Sequence, residues 1–195
     1  LSSASSPDAS TPEVFDPNTD ELLARNRHYA TDFHDSELQV APQRHLAIVA
    51  CMDSRIDTFA ILGLGNGDAH IIRNAGGVIT DDVIRSLCLS QRFLGTREII
   101  LVHHTDCGLQ HVNEAEFRDE LDAELGIKPW WSLEAFTDPY DDVRQSIQRL
   151  YMTPFIPHKD NIRGFVYDVT DGLLREVSSD RPAVDAATVD AADND

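Results

Sequence analysis

The stretch IVACMDSR, residues 48–55, decides how this chain is read. It begins as an apolar run and ends with Cys51, Asp53 and Arg55 at alternate positions. Residues two apart in an extended chain point the same way, so these three side chains can face one site at the end of a strand.

Working outward, HLAIVA (45–50), AHIIR (69–73) and EIILVHH (98–104) are apolar runs of strand length without alternation. Such runs suit strands covered on both faces, as in a parallel sheet. Between the second and third, residues 80–95 read as a helix capped by Thr80, with Val83, Ile84, Leu87 and Cys88 on its apolar stripe and Gly95 at its end. Residues 113–126 predict a helix capped by Asn113, with acids in the first turn, Phe117, Leu121 and Leu125 on one stripe, and Gly126 after it. A third helix is predicted over 138–154, with Asp138 as cap, Pro139 at the first helical position, a stripe of Val143, Ile147 and Leu150, and Pro154 as stop. Residues 162–177 read as two strands joined near Asp171 and Gly172. Near the start, Leu22, Leu23, Asn26, Tyr29, Ala30 and Phe33 form a helical stripe with Thr19 or Asp20 as cap, an arm suited to a partner as much as to its own core. The expected fold is α/β: an open, mainly parallel sheet of about four strands with a C-terminal antiparallel edge strand, helices on both faces and an N-terminal helical arm.

A chain of 195 residues with 42% hydrophobic content supports one sizeable core. The expected organisation is a disordered acidic segment over 1–20, one domain over 21–178 and a disordered acidic tail over 179–195. The formal net charge is −18, of which the two ends carry −8 and residues 21–178 carry −10. That field repels nucleic acid and anionic membrane, so neither is an expected partner. No apolar run reaches the roughly 18 residues of a membrane span, and LSSASSPDAS has no basic-then-apolar leader pattern. Three cysteines, an odd number, do not make a disulfide framework and fit a reducing compartment, so the expected location is cytoplasmic.

The third strand ends in HHTDCG, residues 103–108. In open α/β sheets ligands bind beyond the carboxyl ends of strands where strand order reverses. If the first and third strands are neighbours, Cys51, His104 and Cys107 converge, with Gly108 letting the chain turn. Two cysteines and a histidine are a zinc donor set, and three protein ligands leave one of the four zinc positions open, the mark of a catalytic rather than a structural ion. Asp53 and Arg55 then fit as neighbours of the bound water, the carboxylate orienting it and the guanidinium holding the carboxylate ionised. In the alternative, Asp53 swings onto the metal and fills the fourth position.

CMDSR followed about fifty residues later by HTDC resembles the β-class carbonic anhydrases, whose patterns are C-x-D-x-R and H-x-x-C. The similarity extends over residues 22–177 and includes RNAGG at 73–77, the helix after it and the closing hairpin. The resemblance implies Cys51, His104 and Cys107 as ligands of one Zn2+ per subunit, Asp53 and Arg55 as a catalytic dyad, and self-association as a homodimer or tetramer. It implies reversible hydration of carbon dioxide to bicarbonate, through metal-activated water of the kind whose pKa of about 7 is known from carbonic anhydrase itself. Ser54, Asn74, Ala75, Gly76, Gly77 and Gly108 are the expected pocket lining. His103 before the ligand histidine departs from the glycine of many members, and the neighbours of the compact bacterial subgroup include carbonyl sulfide hydrolases with the same ligands, so hydrolysis of carbonyl sulfide or a related CS2-type substrate is the alternative activity. A non-catalytic zinc protein with Asp53 as permanent fourth ligand is the alternative of another class.

The remaining candidates have plainer readings. Cys88 sits on an apolar stripe and reads as core packing. His103 points away from His104 and reads as a core or outer-sphere residue, and His111 as an exposed loop histidine. GLGNG at 63–67 lacks the lysine of a phosphate-binding loop and reads as an ordinary loop. Trp130 and Trp131 read as packing or interface residues.

Overall fold

A computed structural model describes residues 17–178. The acidic ends expected as tails lie, over 1–16 and 179–195, outside the described residues. The chain divides into two compact units between Glu37 and Leu38.

The first unit carries helix α1, Thr19–Thr31. Its N-cap is Asn18, one residue before the expected positions, and Phe33 falls beyond its end, where its ring meets Tyr29 at 6.0 Å between centroids. The helix is supported by its own charges: Glu21 and Arg25, one turn apart, pair at 2.6 Å.

The second unit holds a five-stranded sheet in the order β2-β1-β3-β4-β5. The strands are β1 (Leu46–Cys51), β2 (Ala69–Asn74), β3 (Glu98–His104), β4 (Asn161–Tyr167) and β5 (Leu174–Val177). The first four run parallel and β5 returns antiparallel to β4, as expected from the sequence. β1 is buried along its whole length, which explains its unalternating apolar run.

One face is covered by helices α3 (Asp81–Leu94) and α5 (Pro139–Met152), whose Val83, Leu87, Val143, Ile147 and Leu150 share a core with Ala47, Val49, Ile99 and Leu101. Each such side chain contributes about 1.5 to 3 kcal/mol by leaving water. Gly164 is needed for this approach, since a Cβ there would lie 2.2 Å from Val143 and 2.9 Å from Ile147. On the opposite face Leu62, which ends the short helix α2 (Thr58–Leu62), packs with Ile48, Ala50 and Val102.

Helix starts follow the sequence signals. Thr80 accepts from Val83 N, Asp138 from Tyr140 N and Asn113 from Ala115 N. Helix α4 (Glu114–Leu125) ends at Gly126 as expected, yet it buries none of its residues, and Leu125 is exposed. Trp130, read as a packing or interface residue, is 88% exposed. Cys88 does pack against the α3–α5 core.

Candidate metal centre

The strand order brings the two motifs together. β2 lies on one side of β1 and β3 on the other, so the carboxyl ends of β1 and β3 meet where the order reverses. Ala50 pairs with Val102, and the following residues of both strands, Cys51 on one and His103 and His104 on the other, emerge side by side.

Cys51, His104 and Cys107 are 4%, 0% and 2% exposed, and their ligand atoms all lie within 4.8 Å of one another. The two sulfurs are 4.0 Å apart, close to the roughly 3.8 Å that two Zn–S bonds of about 2.3 Å subtend in a tetrahedron. His104 Nδ1 donates to Thr105 O at 2.9 Å, which directs the Nε2 lone pair into the cluster. That Nε2 is buried with no hydrogen-bond partner among the described residues, an arrangement that costs free energy unless something else binds there. These donors fit a zinc ion.

Protonation favours the same use. The Cys51 thiol is pulled down to about 4, first by the hydrogen bond from Cys107, against burial, and further by His104 and the backbone N–H groups of Asp53 and Gly76. The Cys107 thiol is pushed up by its contact with Cys51 and by burial. Burial opposes protonation of His104, but the nearby Cys51 sulfur, Thr105 O and the Asp53 charge outweigh it and the net shift is upward. A metal in the cluster takes over the neutralising role that shared protons play without it.

Asp53 and Arg55 do not meet the cluster by strand alternation, because β1 ends at Cys51. A turn replaces it: Asp53 O accepts from Ile56 N at 3.0 Å, and Asp53 Oδ1 accepts from Arg55 N at 2.8 Å. The side chains then form a two-point pair, Nε to Oδ1 at 3.0 Å and Nη2 to Oδ2 at 2.8 Å. Arg55 holds the Asp53 carboxyl well below the usual carboxylate range. Asp53 Oδ2 also stands 3.7 Å from His104 Nε2, so the carboxylate reaches the cluster while bound to Arg55.

The expected lining divides. Ala75 packs against Cys51 and Cys107, and the Gly76 N–H reaches the Cys51 sulfur. At Gly77, φ is +74° and a Cβ would stand 2.8 Å from Cys51 N, so only glycine lets this loop lie against the end of β1. Asn74 pairs in register with Cys51 and donates to Val78 O at 2.9 Å. Ser54 is exposed in the turn, and Gly108 is exposed, where an added Cβ would meet nothing within 4 Å. Gly108 does not make the turn between His104 and Cys107; Asp106 makes it, at φ +55°.

Sequence reasoning passed over three residues that hold the loops. Arg73, in RNAGG, donates to Cys51 O at 2.9 Å and Asp53 O at 2.7 Å, and so fixes the chain that carries both. Gln110 accepts from Cys107 N at 2.9 Å. Asp106 meets Arg55, and its place within HTDC was the available signal. His103 turns to the other side, where Nε2 faces Asp142 Oδ2 at 2.6 Å and the ring lies against Phe136. His111 is exposed, as expected.

Known proteins share this arrangement of chain. The carbonic anhydrase family model matches residues 46–174. β-Carbonic anhydrase 1 of Mycobacterium tuberculosis is 52% identical over 160 residues, covering 82% of this chain and 98% of that protein. The crystal structure of carbonic anhydrase from Streptococcus mutans superposes with a TM-score of 0.78 at 43% identity, over 85% of this chain and 100% of the other. A carbon disulfide hydrolase of Acidithiobacillus thiooxidans is 32% identical over 183 residues, 81% of each chain. By the family model, and by relatives matched over nearly their whole length, the chain belongs to the β-carbonic anhydrase family of enzymes.

Proposed function

We propose that this protein catalyses reversible hydration of carbon dioxide to bicarbonate at a zinc ion held by Cys51, His104 and Cys107. The observation that carries the reading is the buried cluster of two sulfurs and an unpartnered imidazole nitrogen beside a carboxylate fixed by arginine. Zinc in that cluster supplies Lewis acidity that makes water nucleophilic near neutral pH, as carbonic anhydrase itself illustrates.

The protein's residues do the rest. Cys51 and Cys107 partly offset the metal's charge, and His104 enters through Nε2 because Nδ1 is engaged by Thr105 O. Asp53, kept ionised by Arg55, accepts a hydrogen bond from the attacking water and leaves its lone pair aimed at the substrate carbon. Ala75, Gly76 and Leu109, packed around the cysteines, bring apolar surface and backbone close to the reacting centre and suit a small uncharged substrate.

Asp53 on Arg55, rather than within the cluster as a fixed fourth ligand, supports an enzyme over a non-catalytic zinc protein. The carbon disulfide hydrolase relatives motivate one competing substrate class, and carbonyl sulfide belongs to the same chemistry. Stopped-flow assays of zinc-loaded protein on carbon dioxide, carbonyl sulfide and carbon disulfide decide among them. Fast proton release with carbon dioxide is expected. Bound zinc with no turnover of carbon dioxide contradicts the reading.

Self-association as a homodimer or tetramer belongs to the same proposal. Its support is exposed apolar surface in the second unit, where Leu89, Phe93, Met152 and Phe155 are 43%, 79%, 80% and 59% exposed, beside a groove of about 770 Å³ that Leu89, Met152 and Phe155 line. Sedimentation equilibrium checks it, and a monomer at micromolar concentration contradicts it. No helix among the described residues is long and apolar enough to cross a membrane.

A further inference from the structure

Asp106 sits between two candidate ligands in HHTDCG, yet its hydrogen bonds go to Arg55 and not to the cluster. Its φ of +55° is uncommon for a residue other than glycine, though aspartate tolerates it better than most. The result of that conformation is a double grip on one guanidinium: Arg55 Nη1 donates to Asp106 Oδ2 at 2.9 Å, and Nη2 donates to Asp106 O at 2.8 Å. Asp53 holds the same planar fork through Nε and Nη2. His111 Nε2 stands 3.4 Å from the other Asp106 oxygen.

The consequence is geometric. The Arg55 side chain is 45% exposed, and with Asp53 as its sole partner it would keep much of its rotamer freedom. Asp53 Oδ2 is 3.7 Å from His104 Nε2, so a carboxylate released by a swinging guanidinium has a short path to the atoms that bind metal. A fork gripped by Asp106 cannot swing, and it also ties the loop carrying Cys107 to the loop carrying Cys51.

We propose that Asp106 is a positioning residue that acts through Arg55, locking the guanidinium so that Asp53 stays turned to it and off the metal. The proposal deepens, and rests on, the reading of the site as a carbonic anhydrase centre. Asp106 touches neither substrate nor metal in this account.

The test uses the full chain loaded with zinc and two variants that keep the backbone free to adopt positive φ. Asp106→Gly removes the carboxylate without imposing strain, and Asp106→Asn keeps an acceptor oxygen in place. Two quantities are read: kcat and KM for carbon dioxide, and hydrogen exchange of the Arg55 Nε–H, whose NMR signal is identified by its loss in Arg55→Lys. In Asp106→Gly we expect one zinc per chain, kcat lowered about tenfold to a hundredfold with KM little changed, and at least tenfold faster exchange of the Arg55 Nε–H. Asp106→Asn is expected to recover most of both. Wild-type exchange in Asp106→Gly overturns the proposal, and so does faster exchange with unchanged kcat. If the wild type hydrates no carbon dioxide, the functional reading falls, and the Arg55 exchange rate still decides whether Asp106 holds the guanidinium.

Discussion

His104 Nε2 lies 3.7 Å from Asp53 Oδ2, buried and without a hydrogen-bond partner among the described residues, although a carboxylate stands beside it. The carboxylate is spoken for by Arg55, and the nitrogen points at two sulfurs. In the proposed mechanism, metal binding and orientation of the reactant fall to different residues, which makes them separable by mutation.

Cys107→Ala is expected to lose both metal and activity. Removing one of three ligands to a catalytic zinc leaves a two-donor site that does not hold the ion through gel filtration. Zinc measured by atomic emission should fall from about one per chain to a small fraction of that. Full retention would mean that Cys107 is not a ligand.

Asp53→Asn is expected to behave in the opposite way. The amide keeps the shape but loses the charge that pairs with Arg55, so zinc content should stay near one per chain while kcat drops about tenfold to a hundredfold. Stopped-flow rates beside metal analysis separate the two effects, and an Asn variant as active as wild type would remove Asp53 from the mechanism.

Zinc affinity is expected to rise with pH across the neutral range. The facing sulfurs share a proton, with the Cys51 thiol pulled down and the Cys107 thiol pushed up, so the pair keeps one proton until metal displaces it. Binding therefore releases about one proton near pH 7, plus a further fraction from His104, which is shifted upward. Calorimetry in buffers of different ionisation enthalpy counts those protons, and affinity should fall about tenfold for each pH unit of acidification. Affinity that does not change between about pH 6 and 8 would contradict this assignment of protons.

Gly77→Ala is expected to damage fold and site together. Its φ of +74° and the 2.8 Å separation between a new Cβ and Cys51 N force movement at the end of β1. Positive-φ strain and overpacking together cost about 2 to 5 kcal/mol, readable as a lower urea midpoint. A midpoint equal to wild type would show that the loop can move aside.

Much of this was legible before any coordinates. Period, caps and stops placed β1, β3, α3 and α5 because those elements bury what their patterns promise, as with Val143, Ile147 and Leu150. The pattern of α4 placed the helix and its end at Gly126, although none of its residues is fully buried, with Leu121 half-buried and Leu125 exposed. The donor set was readable because strand order puts Cys51 beside His104, and the chemistry of two thiols and an imidazole is distinctive. Arg73 was not readable as a support, and for Asp106 its place within HTDC was the one signal. Their roles depend on a positive-φ turn and on carbonyl directions, which periodicity does not encode.

X-ray absorption at the zinc edge of the purified wild-type protein reads the metal's ligand set itself. The expected result is one zinc per chain bound by two sulfurs at about 2.3 Å and one imidazole nitrogen at about 2.0 to 2.1 Å, with the fourth position not filled by the protein. A spectrum with no sulfur neighbours, or with a fourth protein ligand permanently in place during turnover conditions, would contradict it.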